Sequence, residues 1–137
     1  MKIAPDSVSG KRLRKYGVSS HTLKTSSFIA VTWMPVPAFS LPLLVDGSVI
    51  LVHKGVLAYD SDGELADGSA LAPLVHQLCH AHQRQEWGFI RYVVRHLWSR
   101  LLSKGVPVHR RQVERECYLA ARAVEEAHSQ QHIQASP

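Results

Sequence analysis

The chain has 137 residues, 45% of them apolar and 20% charged, enough for one domain with a modest core and too apolar for wholesale disorder. A formal net charge of +5 favours anionic surroundings without choosing a partner, and no unbroken apolar run reaches the roughly 18 residues of a spanning helix. Two cysteines, Cys79 and Cys117, are too few for a disulfide framework and read as reduced, buried thiols, so a cytoplasmic protein is the default expectation.

Residues 1–27 are rich in Ser, Lys and Arg, with the cluster Lys11-Arg12-Leu13-Arg14-Lys15, and are expected to form a basic arm, disordered or serving as a pro-segment. Residues 28–137 are expected to form a single domain. Between Phe28 and Val45, apolar residues alternate with Pro35, Pro37 and Pro42, which suits extended segments outside a central strand. Asp46-Gly47 marks a turn, Ser48 to Leu57 reads as a strand with Val49 to Val52 at its apolar heart, and Asp60 to Gly68 reads as a loop.

Three helices are predicted next. The first spans residues 69–86, with Asp67 or Ser69 as its cap and Pro73 in its first turn. The second spans residues 87–103, with Phe89, Tyr92, Val93, His96, Leu97, Leu101 and Leu102 as a helical apolar stripe before the Lys104-Gly105 stop. The third starts at Pro107 and ends near His128, leaving residues 129–137 frayed. The expected fold is α+β, a small N-terminal β portion packed on a C-terminal three-helix unit that carries the chemistry.

His76 and His80 stand at i and i+4 on the first of these helices, about 6 Å apart at Cβ and on one face. Two imidazoles so placed can reach one zinc ion at about 2.0–2.1 Å. A second pair with this spacing, His128 and His132, lies in the polar tail and is assigned no function. The first pair is flanked by Leu74, Val75 and Leu78, so it is expected to be partly buried and in need of partners. Glu114 is expected on the inner face of the third helix with Cys117, Tyr118 and Ala121, while Glu116 lies about 200° round and points elsewhere. A helical hairpin of this length can return Glu114 to the histidines.

These residues resemble the gluzincin metallopeptidases, above all the minigluzincins. That family carries H-E-x-x-H on one helix, in short versions H-E-L-x-H-x-x-Q, and a later E-x-E-A-[YD]. The chain offers His76-Gln77-Leu78-Cys79-His80-Ala81-His82-Gln83 and then Glu114-Arg115-Glu116-Cys117-Tyr118, a likeness spanning Val49 to Val124. The resemblance implies a zinc metalloendopeptidase with His76, His80 and Glu114 as ligands and Gln83 in the place of the family's glutamine. It also implies a peptide or protein substrate paired along Val49–Val52 as an edge strand. No membrane partner is expected. Nucleic acid is the less favoured partner, because the basic clusters at Lys11–Lys15 and Arg110-Arg111 lack interleaved aromatics.

The chain departs from the family at Gln77. There the family has a glutamate, a general base that takes a proton from the attacking water and passes it to the leaving amine. A glutamine cannot accept that proton, so the chemical step should fall by about 10²–10⁴-fold while metal binding survives. Gln77 is then either a replacement in an active peptidase or the natural residue of a pseudo-peptidase whose zinc-stabilised fold binds protein or nucleic acid. Among the other residues, Cys79 reads as a small buried side chain rather than a ligand, Tyr118 as a core aromatic, His53 as flanking its strand, and His82 as solvent-exposed. Trp87, Tyr92 and Trp98 read as helix packing. His109, at the start of the third helix and less than two turns before Glu114, is not favoured as an aid to the transition state.

Overall fold

The computed structural model describes residues 1–42, 47–102, 104–106 and 112–135. Asp46, Ser103, Pro107, His109 and the Arg110-Arg111 pair therefore lie outside the described residues, and so does the predicted start of the third helix.

The chain opens with two short helices, α1 (Val8–Lys15) and α2 (Ser20–Thr25), in place of the expected loose arm. Each has a serine N-cap. Ser7 Oγ accepts from Gly10 N at 3.0 Å and Ser19 Oγ accepts from Thr22 N at 3.1 Å, satisfying amides that the helix itself leaves unpaired. Arg12, Arg14 and Lys15 fall in the last turn of α1, where the helix dipole favours cations. Leu13 and Leu23 are fully buried in the main core, an apolar contribution of roughly 1.5–3 kcal/mol each. Gly10 is required where it sits, since a Cβ there would lie 2.1 Å from the Ala4 carbonyl oxygen. Residues 1–27 are thus built into the domain. The basic composition concealed this because one leucine per helix does the anchoring while the charged heads remain in water.

Three strands follow, β1 (Ser26–Val31), β2 (Ala38–Pro42) and β3 (Ser48–His53), in the spatial order β1-β3-β2. β1 runs parallel to β3 with Phe28 opposite Ile50, and β2 runs antiparallel to β3 with Phe39 opposite Leu51. β3 is therefore the central strand. Val49–Val52 is paired on both sides and offers no edge to a peptide, which corrects the expectation drawn from the resemblance. The edge beside the helices is β2, whose proline suits that position. β3 ends at His53, earlier than expected, because the His53 ring accepts from Gly55 N at 3.1 Å and caps a 3₁₀ turn over Lys54–Val56.

A 3₁₀ turn over Ser69–Leu71 leads into α3 (Ala72–Trp87), with Pro73 in its first turn. The N-cap position is Leu71, without a side-chain cap, rather than Asp67 or Ser69. Leu74, Val75, Leu78 and Ala81 are buried along α3, the first three meeting Phe28, Ile50 and Val52 in one core. Gly88, at φ 75°, ends α3 and lets the chain turn into α4 (Phe89–Leu102). Only Tyr92 and Ser99 of α4 are buried, and Leu97, Leu101 and Leu102 of the predicted stripe face solvent. α5 (Gln112–Ala135) buries Val113, Cys117 and Val124 and continues helical beyond His128, through the residues expected to fray. α3 packs against the sheet on one side and α5 on another. The architecture is α+β, a three-stranded N-terminal sheet followed by three C-terminal helices.

Candidate metal centre

The helical rise and the α3–α5 packing bring His76, His80 and Glu114 together. His80 Nε2 lies 3.0 Å from Glu114 Oε2 and 3.2 Å from His76 Nε2, and His76 Nε2 lies 3.4 Å from the same carboxylate oxygen. Among the described residues these form the one group of three or more His, Cys, Asp or Glu donors close enough to share an ion. Ligand atoms in a tetrahedral zinc site, at about 2.0–2.1 Å from the ion, are separated by about 3.3–3.4 Å, close to the spacing observed.

The surroundings fix which atoms face inward. Gln83 is buried, and its Nε2 donates to Val113 O and to Glu116 Oε2, each at 3.1 Å. Both partners are acceptors, so the amide orientation is determined by its contacts. Gln83 Oε1 then faces His80 Nδ1 at 3.1 Å, and Nδ1 must carry the hydrogen. In the neutral ring Nε2 is consequently a lone pair, directed at a carboxylate oxygen and a second imidazole nitrogen. Among the described residues no hydrogen bond to His76 Nδ1 sets its tautomer, so His76 Nε2 either donates as N–H to the carboxylate oxygen or adds a third lone pair, and a metal ion between the three atoms would satisfy all of them at once. Burial raises the pKa of Glu114, but hydrogen bonds donated by the His76 and His80 Nε2 atoms when these carry a proton outweigh it and hold the carboxyl below the usual carboxylate range. Two histidines and a carboxylate, one histidine oriented through its other nitrogen, make a donor set that fits zinc and other divalent ions of similar ligand preference.

Several contacts escaped the sequence reading. Glu116 does not point away from the site but reaches it indirectly through Gln83. Cys117 Sγ lies 3.5 Å from His80 Nδ1, and the neighbouring Cys79 thiol, followed by burial, raises the Cys117 pKa. Cys79 is half-buried rather than buried and stands outside the donor cluster. His96 on α4 stacks edge-on against His80 at 5.2 Å and lies 4.3 Å from Tyr92. Burial, then the neighbouring His80, push the His96 pKa down to about 4, so this ring is neutral at pH 7. It had been read only as part of an apolar stripe. Tyr118 is 41% exposed rather than a core aromatic, with its ring 4.7 Å from His76. Away from the centre, His82 is half-exposed and pairs with Glu86 at 3.3 Å, and the His53 ring is fixed by Thr32 O at 3.1 Å and by its cap.

A cleft of about 870 Å³ opens beside the centre, between β2, α3 and α5, with His76, Gln77 and Tyr118 in its wall. Gln77 Nε2 donates to Ala38 O on β2 at 3.3 Å and so ties the edge strand to α3. Glu125 also lines the cleft, but on α5 it stands about 16 Å from Glu114 at 1.5 Å of rise per residue. No known protein family, curated protein or solved structure matches this chain.

Proposed function

We propose that this chain is built as a zinc-dependent metallopeptidase that takes an extended peptide into the cleft along β2, with hydrolysis impaired because Gln77 stands where a general base is needed. The observation that carries this reading is the convergence of His76 Nε2, His80 Nε2 and Glu114 Oε2 within 3.0–3.4 Å, beside a peptide-sized cleft that His76 lines. A zinc ion held by these three residues would supply Lewis acidity towards a peptide carbonyl and lower the pKa of a water molecule.

The chain's own residues then divide the remaining work. Gln83 fixes the His80 ring. Among the described residues no further strand pairs with the outer side of β2, so beyond the Ala38 carbonyl held by Gln77 an extended peptide can add there as a further strand. Tyr118 places a phenol at the cleft beside His76. Proton transfer is the missing element, because the Gln77 carboxamide cannot accept a proton and Glu125 is too distant to replace it. The test is Gln77→Glu, assayed for chelator-sensitive cleavage of casein. Hydrolysis is expected to rise by about 10²–10⁴-fold over the unaltered chain.

One observation favours a second reading. The Gln77 amide is engaged with Ala38 O, a bond that a glutamate would replace with repulsion between two acceptors. A pseudo-peptidase, in which the metal stabilises the fold and the cleft binds a protein segment or nucleic acid without cutting it, uses glutamine here to advantage. Zinc bound to Gln77→Glu without any hydrolysis would overturn the peptidase and leave this reading.

A further inference from the structure

Helix α4 turns only a narrow face inward, through Tyr92, His96 and Ser99. Its opposite side is apolar and open to solvent. Ile90, Leu101 and Leu102 are 70–76% exposed, and Val94, Leu97 and Trp98 are 55–62% exposed. At about 100° per residue these six side chains occupy one arc some 140° wide. An ordinary surface helix carries polar residues there. Scattered exposed leucines need no explanation, but six large apolar groups contiguous on one helix do.

The charges bordering the arc indicate what covers it. Arg95 falls just beyond one border with Arg91 just inside it, Arg100 lies beyond the other border, and α4 contains no Asp or Glu. The Arg95 guanidinium stacks on Trp87 at 4.4 Å, which anchors it near its border. An apolar stripe containing tryptophan and flanked by arginines matches a helix lying in the plane of a lipid interface, with its cations among anionic headgroups. A second copy of the chain is a poor occupant, because pairing two such helices would bring their arginine borders together with no acid on either helix to offset them. No helix among the described residues is long and apolar enough to cross a membrane, which is compatible with binding at the surface. We infer that the outward face of α4 docks this protein on an anionic membrane surface. The inference is independent of the peptidase reading.

The test is flotation of the full chain with vesicles of phosphatidylcholine alone or mixed with phosphatidylserine, together with light scattering of the chain without lipid. The mixed vesicles should bind the chain, added salt should weaken binding, and neutral vesicles should bind at least about tenfold less. Trp98→Glu/Leu101→Glu alters only exposed positions and should fold normally, yet lose binding by about tenfold or more. Arg91→Glu/Arg100→Glu should lose the preference for phosphatidylserine. No binding to mixed vesicles, or undiminished binding by Trp98→Glu/Leu101→Glu, would overturn the proposal. So would a dimer that this double variant dissociates, since the face would then be a self-interface.

Discussion

Gln83 Oε1 accepts a hydrogen bond from His80 Nδ1 at 3.1 Å, and this contact decides which nitrogen of His80 faces Glu114. Gln83 is held in turn by Val113 O and Glu116, so a chain of hydrogen bonds from α5 orients a ring on α3. Residues that orient a metal-binding histidine through its other nitrogen are typically worth about 10–100-fold in metal affinity. Gln83→Ala is therefore expected to weaken zinc binding by that factor, measured by competition with a chromophoric chelator. The metal-free variant should also melt lower, because Val113 O loses a buried partner at a cost of about 1–3 kcal/mol. An affinity equal to that of the unaltered chain would show that Gln83 does not orient the site.

The N-terminal segment gives a prediction opposite to that for a removable arm. Leu13 and Leu23 are fully buried with Ile50, Val52 and Leu78 in one cluster. Leu13→Ala should cost about 2–5 kcal/mol in denaturant unfolding. Deleting residues 1–27 should unfold the chain rather than uncover an active cleft, since none of them lines it. A folded, more active truncated protein would contradict this placement.

Two carboxylates fasten α1 to the loop after β3. Asp60 pairs with Arg12 at 2.7 Å, and Glu64 accepts from Ser9 N at 3.0 Å and from its hydroxyl. The Arg12 hydrogen bond lowers the Asp60 pKa, and the two bonds from Ser9 lower that of Glu64. With folded values depressed, their stabilisation is fully present above the ordinary values of 3.8 and 4.5 and is lost as pH falls through the lower folded values. Asp60→Asn/Glu64→Gln should flatten the acid limb of melting temperature against pH, measured with chelator present to separate it from metal loss. An unchanged acid limb would contradict these pairings.

What was legible from sequence depended on how local each signal was. The His76–His80 spacing and the apolar heart of β3 are local patterns, and helix and strand appear where those patterns put them. The central place of β3 depends on pairings with β1 and β2, which composition does not encode, and so the edge was assigned to the wrong strand. α1 was missed because Leu13 is the one buried leucine in a basic run, although Ser7 and Ser19 were readable as caps. Glu116 was set aside by helical angle alone, and the length of Gln83 carries the contact round the helix to it. On α4, Tyr92 is buried and Phe89, Val93 and His96 partly so, but Leu97, Leu101 and Leu102 of the same stripe are exposed, because a helix apolar over most of its circumference gives periodicity no single face to choose.

The divalent ion that His76, His80 and Glu114 are proposed to hold is read by elemental analysis of the purified, folded chain. The expected result is about one zinc per chain, retained through dialysis, lost in Glu114→Ala, and released as pH falls because protons compete for the same lone pairs. Chelation should lower the melting temperature of the unaltered chain and leave that of Glu114→Ala unmoved. A well-folded chain that contains and takes up no metal, with a melting temperature indifferent to chelator, would contradict that proposal.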